Sequence, residues 1–355
     1  MKIKQILVRK ENLELTRPYT IAFKTTTAVE NCIVEIVGEN GLYGLGAANP
    51  SKEVVGESVG DAVRTLSESH LTWLVGRDVR EFHLLCDEAQ KRFPKHPGAC
   101  AALDIALHDL FAKYLDVPLV QYLGQKKKSL PTSITIGIKG VPETLAEADE
   151  YLGRGFRIIK LKLGTTVDED AERLEKLHEH LAGKAIIRID LNQAYTPATL
   201  EAFFYRTQHL NVELIEQPLS AHAVYPMKKL PDEIKNKIAA DESLLSPKDA
   251  FELACTPAAC GIFNIKLMKS GGIGPAREIA AIADHAGISL MWGCNDESII
   301  SITAALHAAF SCENTKYLDL DGSLDLARDV VSGGFILKDG RLSLSGKPGL
   351  GVSKL

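Results

Sequence analysis

The chain has 355 residues, 45% hydrophobic and 25% charged, which excludes disorder, collagen and coiled coil as its main architecture. A net charge of −5 is spread along the sequence with no basic stripe to track a phosphate backbone, so no nucleic-acid partner is expected. No stretch reaches the roughly 18–20 apolar residues of a membrane span, and Ile6–Val8 is too short for a signal-peptide core, so no membrane partner and a cytoplasmic location are expected. The seven cysteines are odd in number and form no CxxC, so they read as reduced thiols.

Residues 1–125 are expected to form a smaller α+β domain. Ile3–Arg9 is strand-like, and Asn31–Val37 and Leu42–Ala47 flank Glu39-Asn40-Gly41, a hairpin signal. Gly98–Leu119 carries small and apolar residues at helical spacing and runs up against Pro118. Residues 126–322 have a different texture. Eight short Ile- and Val-rich runs end near residues 135, 162, 190, 216, 241, 266, 292 and 319. Their spacing of about 25–30 residues is one strand–helix unit. Eight such units predict an α/β fold of the (β/α)8 TIM-barrel type. A doubly wound open sheet would need a Gly-rich turn after an early strand, and none is present. The tail, residues 323–355, contains a strand–Asp-Gly–strand signature and is expected to return to the N-terminal domain.

In such a barrel, chemistry collects where the strands end. The polar residues there are Thr135, Lys160 and Lys162, Asp190, Glu216, Asp241, Lys266, Cys294, and Asp319 with Asp321. Strand residues two apart share a face, so Lys160 and Lys162 point inward together, as do Asp319 and Asp321. Asp190, Glu216 and Asp241 close three successive strands, roughly 4.8 Å apart. Oxygen donors alone select a hard cation of the magnesium type. Lys162 and Lys266 stand four strands apart and approach a central ligand from opposite sides, with the Asp319/Asp321 pair facing the metal.

Each signal has a plainer reading. Asp190 and Asp241 could each cap the next helix, a KxK pair is commonly a solvated face, and DxD alone suits a turn. Three acids on three successive strands are harder to explain by capping, and inward lysines among Ile158, Ile159, Leu161 and Leu163 are costly unless paired.

The KLK of residues 160–162, the acids of IDLNQAY, IEQPL and ADES, the lysine of NIKLMKSGGI and the terminal GKPGLGV together resemble the enolase superfamily, in its muconate-lactonizing and dipeptide-epimerase subgroup, over essentially the whole chain. The resemblance implies an N-terminal capping domain, one Mg2+ on Asp190, Glu216 and Asp241, and a dipeptide whose C-terminal α-carbon is inverted by Lys162 and Lys266. Lys160 would stabilise developing charge, and the DLD of Asp319–Asp321 would hold the substrate's α-ammonium. It also implies association into homo-oligomers. Thr135 and Cys294 are further candidate substrate contacts. In the loop Thr16–Thr27, Lys24 is the expected cation, Arg17 precedes Pro18, and Ile21 and Phe23 offer an apolar face. Small or hydrophobic dipeptides of the Ala-Ala type are therefore expected. Ala-Glu from peptidoglycan turnover is the alternative. Cycloisomerisation, o-succinylbenzoate formation and N-acylamino-acid racemisation are rivals that would leave the DLD pair without a purpose.

Overall fold

Three antiparallel strands open the chain: β1 (Ile3–Ile21), β2 (Lys24–Gly38) and β3 (Tyr43–Ala48). The computed structural model describes residues 1–21 and 24–355, the side chains of 18–26 excepted. β1 runs well past Arg9 because Leu13 and Leu15 are buried while Asn12 and Glu14 are exposed, the alternation of a strand with one solvated face. Helix Pro97–Tyr114 lies across this sheet. It approaches β3 so closely that a Cβ on Gly44 or Gly46 would overlap the carbonyl oxygens of Ala106 and Ala102. The helical stretch expected over 98–119 breaks at Tyr114 and resumes as Leu119–Leu123.

β4 (Ser129–Pro131) is followed by eight parallel strands: β5 (Ile134–Ile136), β6 (Ile158–Lys162), β7 (Ile186–Asp190), β8 (Ile215–Glu216), β9 (Ile238–Ala240), β10 (Ile262–Ile265), β11 (Ser289–Gly293) and β12 (Thr315–Asp319). They lie in sequence order in one sheet, with helices between them, so the (β/α)8 barrel is the observed architecture. A parallel bridge between Thr132 and Leu318, with the Ser133 amide donating to the Leu318 carbonyl at 3.1 Å, brings the first and last strands together. Short runs such as IIKL, ahead of half-buried Lys162, and IFNI are buried, as parallel strands covered on both faces require.

In the tail, β13 (Val331–Gly333) pairs with β16 (Val352–Lys354), while β14 (Phe335–Lys338) and β15 (Arg341–Leu344) form a hairpin that pairs with β4. Leu326 bridges to Leu15, and Lys354 Nζ donates to Glu35 at 2.6 Å, so the tail touches both parts of the molecule. No helix among the described residues is long and apolar enough to cross a membrane.

The N-terminal domain is fastened to the barrel by polar groups. Asp104 accepts from the Ile273 amide at 2.7 Å, and Asn31 from the Ser298 amide at 3.1 Å. In helix Ile299–Phe310, buried His307 accepts the Val120 amide on Nδ1 at 2.9 Å, with Nε2 3.4 Å from the Leu350 carbonyl. That leaves the ring neutral with its proton on Nε2, and burial pushes its pKa down to about 4. The unfolded chain therefore takes up a proton first as pH falls. Stability attached to His307 is complete above about 6.5 and is lost toward pH 4, by about 3 kcal/mol at most. Urea unfolding between pH 7 and 4.5 should show this slope, and His307→Gln should flatten it; an unchanged slope would contradict the assignment.

Candidate active site

Five successive strands, β6 to β10, carry at or one residue beyond their ends Lys162, Asp190, Glu216, Asp241 and Lys266. The register sets Lys162 beside Asp190 and Asp190 beside Glu216. Lys162 Nζ is 3.5 Å from Asp190, and Lys266 Nζ is 2.8 Å from Asp241. The two lysines thus bracket the row of acids. Four places apart in an eight-strand ring, they stand half a turn from each other around the mouth.

The three acids are buried, and charges out of water must be matched. Lys160 matches two of them from below: its Nζ lies 3.3 Å from Glu216 and 3.9 Å from Asp190, and it also contacts Asp319. Burial and the neighbouring Asp190 push the Glu216 pKa well above the carboxylate range, against the opposing pull of Lys160. Burial also raises that of Asp241, but Lys266 and Lys269 outweigh it and hold the group low. Lys269 contacts the Asp241 carboxylate and donates to its carbonyl at 2.6 Å. Asn264 donates to Glu216 at 2.9 Å, while its buried Oδ1 has no partner among the described residues. A Cβ on Gly293 would come within 2.5 Å of that oxygen and 3.1 Å of Lys266 Cε, so this position leaves room for the lysine. Three carboxylates at the ends of neighbouring strands supply the oxygen-only donor set that suits a hard divalent cation.

Gln217 sets the turn that presents Asp241. Fully buried, it accepts the amides of Asp241 (2.9 Å) and Ser243 (3.1 Å) on Oε1 and donates Nε2 to the Leu219 carbonyl.

On the other rim the DLD pair divides. Asp319 has both oxygens engaged, by the Ser133 hydroxyl at 2.6 Å and by Lys160, so it anchors Lys160. Asp321 accepts the amide and hydroxyl of Thr135, the former at 2.8 Å. Among the described residues its second oxygen has the weak donor Cys294 Sγ, at 3.9 Å. Burial and then Asp319 raise the Asp321 pKa to about 6. Cys294 is engaged with the strand ends: its thiol donates to the Asp319 carbonyl at 3.2 Å and accepts the Gly322 amide at 3.3 Å. Burial pushes that thiol well up, away from reactivity.

Phe23 lies outside the described residues, as do the side chains of Lys24 and Ile21. Arg17 is taken up by Glu150, with Glu147 3.9 Å away, on helix Val141–Gly153. Over the mouth, Asn49 donates to the Asp296 carbonyl at 2.8 Å and Asn295 to the Asn49 carbonyl at 3.0 Å, joining β3 to the loop after β11. Sequence reading passed over Lys269, Gln217, Asn264 and Asn192. Lys269 and Asn264 were detectable as polar residues inside an apolar run, and Gln217 as an amide between a strand-end acid and Pro218.

Two family descriptions cover the chain: "Mandelate racemase / muconate lactonizing enzyme, N-terminal domain" over residues 3–124 and "Enolase C-terminal domain-like" over 143–354. An L-Lys-D/L-Arg epimerase of Methylococcus capsulatus is 56% identical over 99% of both chains, and one of Desulforapulum autotrophicum 53% over 100% of both. A hydrophobic dipeptide epimerase of Enterococcus faecalis is 34% identical over 99% of this chain and 100% of its own. The crystal structure of the dipeptide epimerase from Methylococcus capsulatus, complexed with Mg and the dipeptide L-Arg-D-Lys, matches with a TM-score of 0.97 at 56% identity over 99% of both chains.

The half-satisfied carboxylate of Asp321 yields a direct test. In a carboxyl-carbon NMR titration of the ligand-free protein it should titrate near pH 6, and a cationic group docked beside it should move the midpoint down. A midpoint at or below about 4, the ordinary value, would contradict the environment described.

Proposed function

The chain belongs to the enolase superfamily, in its mandelate racemase / muconate lactonizing enzyme family, and on that footing we propose that it is a Mg2+-dependent dipeptide epimerase that inverts the C-terminal α-carbon and prefers cationic, Lys- or Arg-containing dipeptides. The observation that carries the reaction is the row Lys162–Asp190–Glu216–Asp241–Lys266 along five strand ends: two proton carriers on either side of one carboxylate-lined seat.

Magnesium held by Asp190, Glu216 and Asp241 supplies fixed positive charge for the substrate carboxylate and for the negative charge that develops as the α-proton leaves. One of Lys162 and Lys266, as the free amine, takes the α-proton from its side; the other, as the ammonium, delivers a proton to the opposite face. For the reverse substrate the roles exchange. The proton on Lys266 is held by Asp241 and Glu216 against the effect of burial for as long as those carboxylates carry no other cation. Lys160 adds a second positive charge below the seat. Asp321, with its under-used oxygen, receives the α-ammonium, while Asp319 keeps Lys160 in place.

The side-chain preference rests on the high identity to two relatives named for Lys and Arg, against 34% to one named for hydrophobic dipeptides. The small or hydrophobic preference expected from the sequence gives way to it. The chemistry at the mouth agrees. Glu242, next to Asp241, has a buried Oε2 without a partner among the described residues, and Arg17, which could have gripped a glutamate side chain, is occupied by Glu150.

Initial rates on a dipeptide panel should give Lys- and Arg-containing substrates a kcat/KM advantage over Ala-Ala and Ala-Glu of about tenfold or more, the size of one well-formed charge contact. In deuterated water the product should carry solvent deuterium at the C-terminal α-carbon, and Lys162→Ala and Lys266→Ala should each abolish epimerisation. Equal rates across the panel would reject the cationic preference alone; wild-type epimerisation by both variants would reject the two-lysine reaction.

A further inference from the structure

Lys266 is 12% exposed and clamped by Asp241, but Lys162 is 37% exposed and has the freedom of a long side chain at the barrel mouth. Its charged neighbour, Asp190 at 3.5 Å, is one of the acids a dication would occupy. Its other contact is neutral: the Lys162 ammonium donates to Asn192 Oδ1 at 3.0 Å.

Asn192 is held for this contact. Its backbone has φ 39°, and Gln193 follows with φ 70°, two successive side-chain-bearing residues in the left-handed region, a conformation the surroundings must hold in place. The Asn192 amide donates to Asp190 Oδ1 at 3.0 Å, the Gln193 amide to the Gln217 carbonyl at 2.7 Å, and the Ala221 amide to Gln193 Oε1 at 2.9 Å. The side-chain orientation is set from both ends. Nδ2 faces Glu242 Oε1 at 3.4 Å, and a carboxylate accepts only from the NH2 side. The oxygen is thereby turned to Lys162, which can only donate. The turn after β7 thus spends two strained residues on an acceptor for one lysine, and among the described residues Lys266 donates to the Asp241 carboxylate and to no such amide.

We propose that Asn192, oriented by Glu242, is the positioning residue that aligns Lys162, and Lys162 alone, for proton transfer on its face of the substrate. This rests on the reading above that Lys162 and Lys266 serve opposite faces. A neutral acceptor holds the lysine's direction without adding another charge to a site already rich in carboxylates. It also keeps its hold when Asp190 is engaged elsewhere.

The test uses the two faces as each other's control. Full-length enzyme with Mg2+ is given each C-terminal epimer of a Lys- or Arg-containing dipeptide in deuterated water, and α-proton exchange is followed by proton NMR. Lys162→Ala identifies the epimer whose α-proton faces Lys162. Asn192→Gly accepts the left-handed backbone but removes the amide. It should slow exchange of that epimer by about tenfold or more, as misplacement of a catalytic group does, and leave exchange of the other epimer within about twofold of wild type. A misfolded or metal-poor variant would lose both faces together. Equal loss on both faces, or none on either, would overturn the role of Asn192 while leaving the two-lysine reading intact. A wild-type enzyme that exchanged neither epimer would overturn that reading, and the role of Asn192 with it.

Discussion

Three carboxylates at the ends of neighbouring strands cannot be taken out of water together without cations to match them, and the rest of the site is organised around that demand. Asp190, Glu216 and Asp241 are each 2% exposed or less. In the ligand-free protein, Lys160, Lys266 and Lys269 satisfy them. Removing one partner from such a buried set costs about 3–5 kcal/mol. The arrangement therefore stores, in the folded chain, an affinity for any compact dication that can replace ammonium groups at the same oxygens. Lys160 and Lys269, deep and multiply bonded, serve as fixed struts. Lys162 and Lys266 contact the two outer acids.

The barrel is what makes this possible. Parallel strands in sequence order bring five consecutive ends side by side, and the ring sets its first and fifth members against each other. The N-terminal sheet contributes by covering the mouth. The reciprocal amide contacts of Asn49 with the 295–296 loop and the seat of Ser298 on Asn31 fix the lid relative to the strand ends.

Much of this was legible in the sequence because buried parallel strands are short, Ile- and Val-rich and evenly spaced. The eight expected ends fall within one residue of the observed ones. Legibility failed where the signal was tertiary. β1 continues to Ile21 through KENLELT, whose charged face hides an alternating Leu13/Leu15 core. The attachment of Asp319 to Lys160 joins residues 159 apart in the chain, and no local pattern reveals that one member of the DLD pair anchors a lysine while the other has an oxygen beside a thiol only weakly able to donate. Asn192 and Gln217 act through backbone turns with positive φ, a property that asparagine hints at and glutamine does not.

The central claim, two lysine side chains confronting each other over a metal-anchored carboxylate, is tested most directly by a crystal structure of this protein with Mg2+ and a Lys- or Arg-containing dipeptide. The account predicts the ion bonded to Asp190, Glu216 and Asp241, with the nitrogens of Lys162 and Lys266 on opposite sides of the C-terminal α-carbon. Both nitrogens on one side of that carbon, or an ion bound away from the three carboxylates, would contradict it.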